Sequence, residues 1–151
     1  MHATSPQDAL AQELGYAGDM DAAAAWAMLK SQPAALLVDV RTEPEWVFAG
    51  FPDLSSLDVE PLLLSFRTYP SMQMNPDFMP TLVRLVEDRA TPLLFLCRTG
   101  GRSREAAIMA TAAGFSQCYN LSDGFDGALN AAGQRGQLAG WRAAGLPWRQ
   151  Q

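Results

Sequence analysis

The chain of 151 residues is 48% hydrophobic and 18% charged, which is typical of one globular domain and excludes a disordered chain. Its formal net charge of −5 argues against binding to nucleic acid, because non-specific binding relies on a broad cationic surface. The single histidine is His2, a terminal position that does not suit a catalytic base, and one histidine excludes a multi-histidine metal site.

The two cysteines, Cys97 and Cys118, are far apart in sequence and form no CxxC pair. They make neither a disulfide framework nor a zinc set, and such sparse use of cysteine suits a reducing cytoplasm. No apolar run approaches the length of a membrane span, and the N-terminus lacks the basic start and apolar middle of a secretory signal. We therefore expect a cytoplasmic protein that does not associate with a membrane.

The first elements in chain order are a leader, a helix and a buried strand. Residues 1–18 are expected to be a loosely attached leader, with a short helix over PQDALAQEL, and residues 19–151 a single domain. Asp21 is a suitable N-cap for a helix over AAAAWAMLKS, which Pro33 ends. The apolar run AALLVDV has the length of a strand buried on both faces and reaches Asp39. A short helical turn over TEPEWVF follows.

The second half predicts further strands and helices in alternation. A short strand is expected within 55–67, then a long loop, then a helix that either is capped by Asn75 or begins near Pro80 and runs to residue 88 or 89. TPLLFLC is a second buried strand, followed by a helix capped by Ser103 and closed by Gly114. SQCYNL is a third strand and QLAGWRAAG a final helix. Such alternation predicts an α/β fold with a parallel sheet covered on both faces.

The loop CRTGGRS joins the second strand to its helix and contains the first cysteine, Cys97. Loops of this kind lie at the carboxyl ends of parallel strands, where α/β proteins place functional groups. The following helix offers unpaired N–H groups and the positive end of its dipole. Gly100 and Gly101 can turn successive amides inward as an anion-binding nest. The loop therefore predicts an anionic group at its centre.

Three arginines, Arg98, Arg102 and Arg104, add positive charge around that cysteine. Fixed positive charge and inward amides favour the thiolate, which is the nucleophilic form of cysteine. The alternative is a buried core cysteine before an ordinary capped helix. That alternative explains neither the paired glycines nor Arg98 and Arg102.

Three ordered segments resemble the signatures of rhodanese-like sulfurtransferases. CRTGGRS resembles their active-site loop, roughly C-x-x-G-x-R-S, and LLVDVRTEPEWVFAGFPDL resembles their D-V-R strand end with its following turn. GWRAAGLPW resembles the closing helix and A-G-L-P tail, so that the resemblance spans about residues 19–148. It departs at Gly50, where the family has histidine, and at Asp53, where it has glycine. The 125–137 segment is also longer than usual and is a candidate lid or hairpin near the site.

The resemblance implies a small five-stranded parallel α/β domain in which Cys97 carries a persulfide. The sulfur would come from a sulfane-sulfur donor, mildly favoured to be anionic such as thiosulfate, and pass to a thiophilic acceptor, small or protein. No metal or other cofactor is implied. Asp39 and Arg41 match the D-V-R residues that brace the loop, although an exposed Arg41 beside a turn-capping aspartate is an equally good reading. The residues that would cradle the persulfide are Arg98, Thr99, Gly100, Gly101, Arg102 and Ser103.

Other functions remain as alternatives. Cysteine-dependent phosphatases and arsenate reductases use a longer C-x5-R loop, whose arginine position is Ser103 here, so we rank them lower. A non-turnover persulfide carrier or a redox sensor would use the same thiolate. Cys118 is a poor resolving cysteine, since its expected offset from Cys97 of roughly 10 Å along the sheet exceeds the reach of a disulfide. We expect it to be packed in the core.

Overall fold

The structure, a computed structural model, describes residues 6–150. The helices are α1 Pro6–Leu14, α2 Ala22–Ser31, α3 Glu43–Ala49, α4 Phe78–Leu85 and α5 Gly101–Ala112, with a single 3-10 turn at Ser55–Leu57 among the residues described. The strands are β1 Gly18–Met20, β2 Leu36–Asp39, β3 Phe51–Pro52, β4 Leu62–Leu63, β5 Arg67–Thr68, β6 Gln73–Met74, β7 Leu93–Leu96, β8 Cys118–Leu121 and β9 Trp148–Arg149.

Five of these strands form one parallel sheet in the order β1-β8-β7-β2-β4. The central strand β7 pairs with β2 from Leu36↔Leu93 to Asp39↔Leu96 and with β8 from Leu93↔Cys118 onward. Two small antiparallel pairs, β3-β9 and β5-β6, lie outside this sheet. The α/β architecture with a five-stranded parallel sheet is therefore confirmed.

Buried side chains cover the sheet on both faces. Successive residues of a strand point to opposite faces, so that Phe95 joins one buried cluster with α4 and α5, while Leu94 joins another with α2. All four residues of β7 are fully buried, which is why its sequence is an unbroken apolar run. The buried sheet gives the loops at its carboxyl edge a rigid base.

The helix predicted over AAAAWAMLKS and its cap are confirmed. The Asp21 side chain accepts a hydrogen bond from the backbone N–H of Ala24 at 2.7 Å, and α2 follows. The helical turn expected over TEPEWVF is α3, at whose start the Thr42 hydroxyl donates to Glu45 Oε1 at 3.0 Å. This carboxylate also accepts the backbone N–H of Thr42 at 3.2 Å, as in a capping box.

Two predicted helices differ from the structure. The helix expected to reach residue 88 or 89 is α4, which begins after Asp77 and ends at Leu85, with Pro80 in its first turn, where proline is tolerated. The final helix over QLAGWRAAG is absent, and that prediction was wrong. Gly140 and Gly145 have φ values of +98° and +75°, which interrupt a helix, and the segment forms hydrogen-bonded turns around the buried Trp141.

The middle of the chain contains the expected short strand, β4, and then a small hairpin, β5-β6, where a long loop was predicted. The expected leader contains α1, and beyond it Tyr16 is only 1% exposed within the core. Its residues 1–5 lie outside the described part of the chain, and the division at residue 18 stays a prediction. No helix within residues 6–150 is long and apolar enough to cross a membrane.

Candidate active site

Cys97 and Asp39 lie side by side at the carboxyl edge of the sheet. Asp39 ends β2 and pairs in register with Leu96, the last residue of β7, and Cys97 follows directly. The helix α5 begins four residues later. Parallel strands bring their carboxyl ends to one edge, and for this reason two residues 58 positions apart in the sequence meet at one site.

The thiol group of Cys97 is held by two hydrogen-bond partners. The backbone N–H of Gly100 donates to Sγ at 3.1 Å, and the Ser103 hydroxyl lies 3.1 Å from the same atom. The thiol is only 1% exposed, whereas its neighbours Arg98 and Thr99 are exposed. Sγ thus lies just beneath the loop, next to the N-terminal end of α5.

Only one of the two loop glycines has the expected conformation. Gly100 has φ of +105°, and a Cβ there would lie 2.1 Å from the Ser122 carbonyl oxygen, so that no other residue fits. Gly101 is the first residue of α5 and has open space around its Cα. The amide of Gly100 donates to Sγ, and the positive φ expected at Gly101 is not found.

Ser103 is not the helix cap that its sequence position indicated. Gly100 is the N-cap of α5, and Ser103 is fully buried two residues into the helix. Its Oγ lies 2.6 Å from Oδ1 of Asn120 on β8. The amide nitrogen of Asn120 donates to Asp19 at 3.0 Å and to the Gly100 carbonyl at 3.2 Å. Those two acceptors orient Asn120 so that its oxygen faces Ser103.

Asn120 is one of the site residues that the sequence did not predict. It is 2% exposed in a strand whose other residues are largely apolar. A polar side chain within a buried strand needs partners inside the protein, and this was the available signal. The partners themselves, on α5 and β1, were not visible in the sequence.

The arginines of the loop are paired with carboxylates. Arg102 donates from both terminal nitrogens to Glu45 at 2.7 and 2.9 Å. Arg98 lies 3.3 Å from Asp126, which also accepts from Arg142 at 2.7 Å. Arg104 instead lies over the Tyr16 ring, 5.7 Å from its centre. The positive charge is thus distributed over several partners and is not concentrated on the thiol.

The Arg102–Glu45 pair shifts both pKa values. Burial raises the pKa of Glu45, but the hydrogen bonds and charge of Arg102, together with the hydrogen bonds from Thr42, leave that pKa below its ordinary value. Burial lowers the pKa of Arg102, whereas Glu45 raises it, with a smaller rise from the charge of Cys97, and the net change is upward. Arg102 therefore stays charged within electrostatic reach of the thiol.

Asp39 and Arg41 form a fully buried ion pair. Nη2 of Arg41 lies 2.8 Å from Asp39 Oδ2 and donates to the Gly50 carbonyl, also at 2.8 Å. The guanidinium stacks on the Phe125 ring at 4.3 Å. The alternative of an exposed Arg41 is therefore wrong. The pair connects the end of β2 to the turn at Gly50 and to the segment beside the loop.

The segment 124–126 runs alongside the cysteine loop. The Phe125 N–H donates to the Cys97 carbonyl at 2.8 Å, and the Asp126 N–H donates to the Arg98 carbonyl at 3.0 Å. Gly124 has φ of +66°, and a Cβ there would lie 2.4 Å from the Arg98 oxygen. The start of the segment that was expected to be a lid, 125–137, thus supports the loop. Residues 130–134 of this segment form a turn, in which the Asn130 N–H donates to the Gln134 carbonyl at 2.8 Å.

A cavity of about 440 Å³ opens beside the loop. Its apolar wall includes Phe48, Tyr69 and Met72, and its polar wall includes Arg98, Arg102, Glu45 and Asp126. Among residues 6–150 no group of three or more histidine, cysteine, aspartate and glutamate side chains could hold a metal ion.

Cys118 is a core residue, as expected. It is fully buried, both cysteines are free, and burial raises the pKa of its thiol to about 11. It pairs in register with Leu93, four residues before Cys97, an offset of roughly 13 Å along the sheet. That distance exceeds the span of a disulfide and argues against a Cys97–Cys118 redox pair.

Comparison with known proteins identifies relatives over most of the chain. A family model described as the STR4 middle domain matches residues 17–151. The uncharacterized protein RC0915 of Rickettsia conorii is 39% identical over 126 residues, which cover 83% of this chain and 91% of that protein. The protein THYLAKOID RHODANESE-LIKE, chloroplastic, of Oryza sativa subsp. indica is 31% identical over 143 residues, 92% of this chain but 27% of that protein.

Solved structures show the same architecture. The crystal structure of Rv0390 from M. tuberculosis has a TM-score of 0.82 and 50% sequence identity, with 90% of this chain and 99% of that chain covered. The polysulfide-sulfur transferase homodimer from Wolinella succinogenes has a TM-score of 0.61 at 20% identity, with 95% and 88% covered, and is similar in fold alone. The chain therefore has a rhodanese-like α/β fold and belongs to the STR4 middle domain family.

Proposed function

We propose that this protein is a sulfurtransferase that carries a sulfane sulfur atom as a persulfide on Cys97. The observation that carries the proposal is the setting of Sγ at the N-terminal end of α5, with the Gly100 amide and the Ser103 hydroxyl each at 3.1 Å. Donors in this arrangement stabilise a sulfur anion. The name of the rice relative, rhodanese-like, supports the same chemistry.

The reaction is a two-step exchange on one thiolate. Cys97 Sγ attacks the outer sulfur of an anionic donor such as thiosulfate; a new S–S bond forms, the S–S bond of the donor breaks, and sulfite leaves with the electron pair. A thiophilic acceptor, a small molecule or a protein, then attacks the terminal sulfur. The electron pair of the Cys97 S–S bond returns to Sγ, so that the two steps together need no cofactor.

The surrounding residues hold this thiolate and its loop in place. The Gly100 amide and the Ser103 hydroxyl donate to the anion, while Arg102 contributes charge from a distance. The Asp39–Arg41 pair braces the loop through Phe125, whose N–H holds the Cys97 carbonyl. Because Cys97 is 1% exposed, a shift of the exposed residues 98 and 99 is part of the proposed uptake step.

The geometry favours this function over the phosphatase alternative. A phosphatase loop surrounds a phosphoryl group with its arginine, but the Arg102 guanidinium is occupied by two hydrogen bonds to Glu45. Ser103, at the arginine position of the longer loop, is buried against Cys97 and Asn120. The loop offers room and donors for one sulfur anion.

Intact mass spectrometry after treatment with thiosulfate tests the proposal. The wild type and a Cys118→Ser control should each gain one sulfur atom, and Cys97→Ser should gain none. Cyanide should then remove the sulfur as thiocyanate. Repeated thiocyanate release indicates an enzyme, and loading without turnover indicates the carrier alternative. Hydrolysis of an aryl phosphate without any sulfur gain would contradict the proposal.

A further inference from the structure

The cavity beside the cysteine loop has a composition that a small inorganic dianion does not require. Phe48 and Tyr69, which line it, are 79% and 65% exposed. Large exposed apolar groups clustered around a concavity mark binding surfaces. The same two aromatic residues also line an adjoining cavity of about 490 Å³. The volume of about 440 Å³ at the loop itself is that of a small-molecule site.

The charges around this cavity nearly balance one another. Of the groups lining it, Arg102 is occupied by two hydrogen bonds to Glu45, and Arg98 pairs with Asp126. Asp126 also accepts from Arg142, so that these three arginines and two carboxylates leave one positive charge. A doubly charged donor such as thiosulfate would therefore find little unpaired positive charge. A singly charged donor loses less hydration free energy than a doubly charged one on entering such a site.

On the basis of the proposed function, we infer that this cavity binds the organic group of a monoanionic sulfane-sulfur donor. The donor has the form R–S–S⁻ or R–SO₂–S⁻, in which R is apolar. The group R lies against Phe48, Tyr69 and Met72, and the anionic sulfur extends past Arg98 toward Cys97. For R–SO₂–S⁻, the thiolate of Cys97 forms a bond to the terminal sulfur, the S–S bond of the donor breaks, and the sulfinate R–SO₂⁻ leaves with the electron pair. Charge and atoms balance without an oxidant.

Two probes separate the organic group from the reacting atoms. Sodium benzenethiosulfonate and sodium methanethiosulfonate share the R–SO₂–S⁻ group and its single charge and differ in R alone. The rate of sulfur uptake by Cys97 is measured for each, divided by that probe's rate with free cysteine to remove intrinsic reactivity. We expect the phenyl probe to be favoured by about tenfold, the low end of what an apolar pocket discriminates.

Phe48→Ala is the decisive variant. The side chain is exposed on α3, and alanine favours a helix, so that the fold is retained. It should remove most of the preference for the phenyl probe and leave the methyl probe unchanged. Leu138→Ala is the matched control, since Leu138 is 63% exposed and lines a different cavity, and it should change neither rate.

Each outcome decides the matter. Equal normalised rates for the two probes, or an equal loss of both in Phe48→Ala, would overturn the inference and point to a macromolecular occupant of the cavity. If no donor loads Cys97, the proposed function fails instead. The cavity is then still tested by calorimetry on Cys97→Ser, which should bind benzenesulfinate more tightly than methanesulfinate. Equal binding of the two sulfinates would overturn the inference in that case as well.

Discussion

Removal of the Ser103 hydroxyl tests the hydrogen bonds on which the thiolate depends. A serine hydroxyl has one proton to donate, and Oγ lies 2.6 Å from Asn120 Oδ1 and 3.1 Å from Cys97 Sγ. With a neutral thiol, Ser103 donates to Asn120 and accepts from the S–H group. When Sγ is ionised, the hydroxyl turns to donate to the sulfur anion. The charged state therefore gains the stronger of two alternative hydrogen bonds.

The magnitude follows from that exchange. With the sulfur ionised, the Ser103 hydroxyl makes one hydrogen bond to a charged group, which contributes about 1.5–3 kcal/mol. With the neutral thiol it makes one neutral hydrogen bond of about 0.5–1.5 kcal/mol and the weak one from S–H, so Ser103→Ala should cost the sulfur anion about 1 kcal/mol relative to the thiol. This corresponds to about fivefold slower alkylation of Cys97. The variant also leaves Asn120 Oδ1 without its buried donor, which should lower the free energy of unfolding by about 1–3 kcal/mol.

The rate at which iodoacetamide alkylates Cys97 reports the reactivity of the sulfur, and urea unfolding measures the stability. Ser116→Ala is the matched control, because it also removes a serine hydroxyl, but from an exposed residue beyond the far end of α5. It should change neither quantity. If Ser103→Ala were alkylated as fast as the wild type while losing stability, the hydroxyl would be a packing group only, and the argument for its role at the sulfur would be refuted.

Two further predictions concern the buried thiol and the loop support. Burial raises the pKa of Cys118 from 9.0 to about 11, so that the folded state keeps a proton which the unfolded state loses, and stability should fall between about pH 9 and pH 11. The urea midpoint should fall less steeply over this range in Cys118→Ala than in the wild type. Parallel falls in the two proteins would contradict the prediction. Gly124→Ala places a Cβ 2.4 Å from the Arg98 oxygen, and unfolding curves should show a loss of about 3 kcal/mol or more. Gly133→Ala, with φ of +76° but open space around it, should cost about 1 kcal/mol, and similar losses for both glycines would contradict the steric argument.

Local signals predicted the parts of this fold that depend on one segment at a time. The unbroken apolar run of β7 reflects burial on both faces, and Asp21 predicted the start of α2 because a cap acts within three residues. The final helix was predicted wrongly for a related reason. Its composition favours a helix, but the backbone at Gly140 is held by packing against the 124–127 turn, which no local pattern encodes.

The features of the site were likewise predicted only where they depend on one segment. Local sequence patterns were enough to predict that Cys97 ends a buried strand and precedes a helix, because hydrophobic runs and turn residues act over a few positions. The groups that surround the sulfur depend on the packing of distant segments. Asn120 reaches Ser103 from a neighbouring strand, and Glu45 reaches Arg102 from 57 residues away in the chain. Hydrogen bonds and ion pairs depend on distances of about 3 Å between side chains, and strand order and register set those distances.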